Sequence, residues 1–137
     1  MKEITVEATI DQIGAVTDFV EEELEAMDCP MKARMQIAIA IDELFGNIAR
    51  YAYHPKTGLA TVRLETEGDP PQAVVTFIDR GDPYNPLEQE APDITLSAEE
   101  RQIGGLGIFM VKKTMDGMEY EYRDGCNILS IRKNIAF

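Results

Sequence analysis

The sequence predicts an α+β fold: a two-layer sandwich whose sheet is mostly antiparallel, with the helices on one face. Three observations lead there. Two turn signals, Gly68-Asp69-Pro70-Pro71 and Asp124-Gly125, each lie between runs of strand-forming residues and so mark hairpins. Ile13, Val16, Val20, Leu24 and Met27 recur at steps of three or four, the spacing of an amphipathic helix. The run Gly104-Gly105-Leu106-Gly107 opens another helical segment between the two hairpins. Hairpins join antiparallel neighbours, so they set the character of the sheet.

Each element follows in chain order. Residues 4–8 read as a short strand, and a helix follows over about 11–27. Pro30 suits the first turn of a second helix, which should run to about residue 53 and stop before Pro55 and Gly58. Residues 61–65 alternate as a strand, and 73–78 form its hairpin partner. Between 84 and 102 the pattern disappears, and Pro86 and Pro92 interrupt a polar stretch. A connection of that length usually serves as a lid, a binding loop or a disordered segment. A short helix over 97–101 fits within it. The helix after the glycines should end near Met115, with Gly117 as its cap. Met118, Tyr120 and Tyr122 then alternate, and 127–133 completes the last hairpin. The expected order is β-α-α-β-β-lid-α-β-β in a single domain, 1–137.

Composition narrows the function classes. The net charge of −12 argues against binding a nucleic-acid backbone, which needs a basic surface. No apolar run reaches the roughly 20 residues of a membrane helix. The start, Met1-Lys2-Glu3-Ile4-Thr5-Val6-Glu7, lacks a signal-peptide pattern. Cys29 and Cys126 are the only cysteines, too few for a disulfide framework or a zinc site, so a cytoplasmic setting is expected.

The second helix has two faces. With Glu43 at zero on a helical wheel, Asn47 falls near about 40° and Arg50 near about −20°. Ile37, Ile41, Leu44 and Ile48 cluster at roughly 100–160°. Glu43 and Asn47 thus stand one turn apart on a polar stripe. A solvated face is the plain explanation of such a stripe. The helix around it is rich in Ile, Leu, Phe and Ala, however, and a carboxylate beside an amide at the edge of a buried helix needs a partner such as a metal, a water or a ligand.

Two further stretches carry chemistry. Gly104, Gly105 and Gly107 let backbone approach a bound group closely, and the helix they open presents free N–H groups to an anion. No GxxxxGK[ST] run is present, and no βαβ unit surrounds these glycines. The stretch Asp79-Arg80-Gly81-Asp82-Pro83-Tyr84-Asn85-Pro86 ends an apolar strand with a carboxylate, a glycine and two prolines. A plain turn with Asp in first place accounts for some of this.

Together, Glu43-Leu44-Phe45-Gly46-Asn47, Asp79-Arg80-Gly81-Asp82-Pro83 and Gly104-Gly105-Leu106-Gly107 resemble the Bergerat ATP-binding fold of type II topoisomerases, sensor histidine kinases and heat-shock and mismatch-repair ATPases. The resemblance runs over about 38–133. The forms DELFGNIARYAY, DRGDPYNP and GGLGIFMVKKTMD are similar to those of bacterial anti-sigma-factor serine kinases. That resemblance implies a kinase that binds Mg-ATP, holds a sigma factor inactive and phosphorylates a serine on a STAS-domain antagonist. It also implies residue roles. Asp79 accepts a hydrogen bond from the adenine amino group, Gly81 lets the chain turn against the base, and Pro83 sets the exit into the lid. Asn47 coordinates Mg²⁺, Glu43 is the base acting on the serine hydroxyl, and Gly104, Gly105 and Gly107 hold the phosphates. Homodimerisation is a family expectation.

The chain departs from the family pattern at two places. An arginine that some relatives carry two residues before the G-x-G is Ile103 here, with Arg101 nearest. A G-T-x run near the adenine is replaced by Gly125-Cys126-Asn127, with Cys126 the residue expected at the pocket. Met110, Met115, Met118, Tyr51, Tyr53, Tyr120 and Tyr122 read as core, and His54 as a solvated helix end. Two alternatives stay open: a nucleotide-binding module that sequesters a partner without phosphorylating it, and a detached histidine-kinase ATPase domain.

Overall fold

The computed structural model describes residues 1–88 and 105–135, of which 105 and 106 are described by backbone alone. Five strands form one sheet: β1 (Lys2–Glu7), β2 (Leu59–Glu67), β3 (Gln72–Asp79), β4 (Gly117–Arg123) and β5 (Cys126–Asn134). Their order is β1-β2-β3-β5-β4, and every neighbouring pair is antiparallel. Three helices, α1 (Ile13–Ala26), α2 (Met31–Asn47) and α3 (Gly105–Thr114), supply the second layer. This is the α+β arrangement that the hairpin signals predict.

The pleat explains the core. Register places Ile4, Val62, Phe77, Leu129 and Tyr120 in one row across the sheet, and Leu64, Val75, Ile131 and Met118 in the next. Both rows face the helices, because alternate residues of a strand share a face. Against them pack Val16, Val20 and Leu24 of α1, Ile37, Ile41, Leu44 and Phe45 of α2, and Ile108 and Val111 of α3. Burying each such side chain contributes about 1.5–3 kcal/mol. The third row is Val6, Ala60, Asp79, Asn127 and Tyr122. Here the helix-facing side of the sheet turns from apolar to polar.

The structure corrects several expectations. The second helix does run almost to residue 53, as expected, but it is α-helical only to Asn47; its last turn, Ile48–Ala52, is a wider π-helical one. Pro30 sits just before the helix, in an extended conformation, and its carbonyl accepts from the Arg34 N–H at 3.0 Å. Gly117 opens β4 opposite Arg132 and is not a helix cap. Met110, Tyr51 and Tyr122 are exposed and not core, whereas Met115 is buried and Tyr53, Met118 and Tyr120 pack against the core. Of the stretch from 84 to 102, residues Pro86–Glu88 form one 3₁₀ turn; the expected helix over 97–101 lies outside the described residues. The last hairpin has the expected two-residue turn, with Asp124 at φ 54° and Gly125 at φ 78°. No described helix is long and apolar enough to cross a membrane.

Candidate nucleotide site

A cavity of about 240 Å³ opens where the polar row meets the helical layer. Leu44, Asn47, Ile48, Tyr51 and Ala52 form one wall. Their spacing of three, one, three and one keeps them on a single side of α2 and its π turn. Phe77, Asp79, Asn127 and Leu129 form the floor, and Tyr120 stands at the far side. The segment after β3 adds Asp82, Pro83, Tyr84 and Pro86. The volume lies below the roughly 300–1,000 Å³ of most small-molecule pockets. It suits a flat base, not a whole triphosphate nucleotide.

Asp79 is the buried carboxylate of this cavity, with only 5% of its surface exposed. Its Oδ1 accepts from the Gly81 N–H at 2.9 Å and from Asn127 Nδ2 at 2.9 Å. Neither bond uses Oδ2. Burial raises its pKa above the ordinary 3.8, and the bonds from Asn127 and Gly81 oppose that rise. A carboxylate oxygen without these donors, in an apolar cavity, fits the exocyclic amine of a purine.

Asn127 is the hub that holds this geometry. It is 6% exposed and lies directly across the ladder from Asp79. Its Nδ2 also donates to the Asp82 carbonyl at 2.9 Å. Its Oδ1 accepts from the Tyr120 hydroxyl at 2.5 Å and the Tyr84 N–H at 3.1 Å. One amide thus fixes the rotamer of Asp79 and pins the segment after β3. Sequence reasoning pointed one position away, at Cys126. That residue is half-buried and outside the cavity lining.

Gly81 is also required by the protein's own packing. A Cβ there would lie 2.2 Å from the Ala52 carbonyl oxygen. The same oxygen accepts from the Asp82 N–H at 3.0 Å. Glycine therefore lets the segment after β3 dock on the π turn, so the close approach is to protein. Tyr53 locks the other end of that turn: its hydroxyl donates to the Leu59 carbonyl at 2.6 Å and accepts from the Arg80 N–H at 2.7 Å.

Glu43 lies beside the cavity, not in its lining. Asn47, one turn further along α2, is near enough to favour the ionised form of its carboxylate, and Asn47 itself reaches the cavity wall. Glu43 packs against the first turn of α3: a Cβ on Gly107 would lie 2.2 Å from its Cδ. Its Oε1 is buried with no hydrogen-bond partner. Burial raises its pKa above the ordinary 4.5, an effect opposed by Asn47 and then by the Arg50 charge. A partnerless carboxylate oxygen at a helix N-terminus suits a hydroxyl proton or a bound water. Gly105 and Gly107 are in α3, while Gly104, Arg101 and Ile103 lie outside the described residues. Pro83 lines the cavity as part of the segment after β3. Among the described residues no group of three or more His, Cys, Asp or Glu side chains is placed to hold a metal ion. Asn47 offers one amide oxygen. That fits Mg²⁺ bound chiefly by phosphates and water, and not a metal caged by protein.

An antiparallel sheet under three helices, with a buried carboxylate at the end of its third strand and a glycine-bearing helix start nearby, defines a nucleotide-binding ATPase domain. The chain belongs to the histidine kinase-like ATPase domain family, whose model matches residues 6–133. ATP is therefore the ligand class of the cavity at the level of the family. Among curated proteins it is similar to the serine/threonine-protein kinase BtrW of Bordetella bronchiseptica, 26% identical over 105 residues, covering 77% of this chain and 73% of that protein. Among solved structures it resembles the histidine kinase AdeS of Acinetobacter baumannii, with a TM-score of 0.51 and 12% identity. That match spans all of this chain and 70% of the other and supports the fold alone.

Proposed function

We propose that this protein is an ATP-dependent serine kinase that acts on another protein. Its acceptor is a STAS-domain antagonist, and the kinase holds a sigma factor inactive until the antagonist displaces it. The observation that carries the kinase reading is Glu43: a half-buried carboxylate with one buried, partnerless oxygen, held at the N-terminal turn of α3 beside Asn47. A domain that only bound ATP would have no use for such a group. The kinase relative and the three sequence stretches support the same reading.

The chain's own groups divide the work. Asp79 Oδ2 accepts from the base amine, with Asn127 and Gly81 holding the carboxylate in place. Phe77 and Leu129 exclude water beneath the base. The N-terminal N–H groups of α3 face the phosphates. Mg²⁺, held by the Asn47 amide oxygen and the phosphates, would neutralise charge on the transferring group. Glu43 orients the serine hydroxyl and takes its proton as the oxygen attacks the γ-phosphorus. The bond to the leaving β-γ oxygen breaks in line, and ADP departs with that oxygen.

A paired measurement tests this. Glu43→Gln keeps the shape and loses the basicity, so ATP affinity should stay nearly unchanged while single-turnover phosphorylation of a STAS protein falls about 10²–10⁴-fold. Asn47→Ala should weaken both together. Wild-type transfer rates in the Glu43→Gln protein would remove Glu43 from the mechanism. ATP and partner binding without transfer in the wild type would make the protein a sequestering module.

A further inference from the structure

The outward face of α2 carries an apolar ridge that its place in the sandwich does not explain. Met31, Met35 and Ile39 are 66%, 59% and 62% exposed. A helix with a second apolar stripe opposite its buried one is usually covered on both sides. The ridge advances by four residues at each step, and the next two steps are Glu43 and Asn47. Residues four apart on a helix are surface neighbours, so the ridge runs into the proposed base over about 18 Å.

We infer that this ridge is the docking surface for the protein substrate, positioned so that a partner lying along it delivers its serine hydroxyl to Glu43. The inference rests on the kinase reading. The partner's chemistry follows from the surroundings. Two of the three residues are methionine, whose flexible thioether adapts to a partner's apolar patch. The adjacent α1 exposes Asp18, Glu21 and Glu25 and α2 exposes Asp42, against one exposed cation on α2, Lys32, so the partner carries mainly basic residues beside that patch. A second copy of this chain is disfavoured as the occupant, because two chains of net charge −12 repel.

Exposed positions can be changed without disturbing the core, which makes the test clean. The variant pair is Met35→Ser/Ile39→Ser, with Met35→Leu as the conservative control. The readouts are melting temperature, ATP affinity, sedimentation velocity, and steady-state phosphorylation of the STAS protein that wild type phosphorylates. The double variant should keep its melting temperature and ATP affinity and raise KM for the STAS protein about ten- to thirtyfold, with kcat within about twofold. Met35→Leu should retain the wild-type KM. An unchanged KM in the double variant overturns the docking surface and leaves the kinase reading standing. A wild-type dimer that the double variant dissociates assigns the ridge to a second copy and overturns it too. If no STAS protein accepts phosphate from wild type, the kinase reading fails first and the docking surface falls with it.

Discussion

At the scale of single residues, the site is built from one buried carboxylate, Asp79, and one half-buried, Glu43, whose charge the fold does not favour. Burial raises the pKa of both Asp79 and Glu43. The sign of the consequence follows. A carboxyl whose folded pKa lies above its unfolded one contributes stability that is complete below the unfolded value and lost as pH rises through the folded value. Above the ordinary carboxylate range the unliganded protein therefore carries a stability cost at both groups. Asp79→Asn should melt higher than wild type at neutral pH, and the gap should close below the ordinary value of 3.8. The amide oxygen can still accept from Gly81 and Asn127, so the local frame survives. Its NH₂ then faces the base amine, donor against donor. ATP affinity should fall by about ten- to a hundredfold, the cost of leaving a buried donor unpaired. Melting curves across pH, with parallel ATP titrations, check both halves. A variant that melts lower and binds normally would sink the assignment of Asp79 as a strained ligand acceptor.

At the scale of elements, the strands and helices were legible because their periods are distinct. Val16, Val20 and Leu24 of the α1 stripe are buried and Ile13 packs against the core as the periodicity predicts, whereas Met27 lies past the helix end and is exposed; both hairpin turns stand where the Gly-Asp-Pro-Pro and Asp-Gly signals predict. The π turn was not legible, because no residue type marks one extra residue in a helix. Asn127 was missed for a different reason. In Cys126-Asn127-Ile128-Leu129-Ser130-Ile131 both parities carry apolar residues, so the sequence alone does not say which set faces the helices. The docking of the segment after β3 on the π turn gives an element-level test. Gly81→Ala drives a Cβ into the Ala52 carbonyl oxygen, 2.2 Å away. The segment must lift, losing the Asp82 N–H bond to Ala52 and loosening the bond from Asn127 to the Asp82 carbonyl. The expected cost is about 1–3 kcal/mol, with weaker ATP binding. Gly14→Ala is the contrast: nothing lies within 4 Å of its Cβ, and it sits in α1. That change should stabilise by about 0.5–1 kcal/mol and leave ATP affinity alone. Urea unfolding of the two variants distinguishes a specific approach at Gly81 from a general effect of losing glycine.

At the scale of the whole molecule, the site binds an anion on a strongly anionic protein. The net charge of −12 sets up a repulsive field, while the attractive groups are local: the N-terminus of α3 and Arg50 beside Glu43. The two act over different ranges. Salt screens the distant charges first, since the Debye length falls from about 30 Å at 0.01 M to about 8 Å at 0.15 M. Contacts within the cavity, at hydrogen-bond distance, are screened far less. Added salt should therefore remove more repulsion than attraction. Without divalent cations, ATP affinity should rise by up to about tenfold between these two ionic strengths. A site on a basic surface behaves in the opposite way, because salt there removes attraction. Calorimetric titrations with ATP and with adenosine separate the contributions. Adenosine carries no phosphate charge, so its affinity should stay nearly flat if the base contacts at Asp79 and the floor of Phe77 and Leu129 are what hold it. If ATP affinity falls with salt while adenosine affinity stays flat, the local cations dominate the field at the site, and the acidic surface plays no part in nucleotide binding.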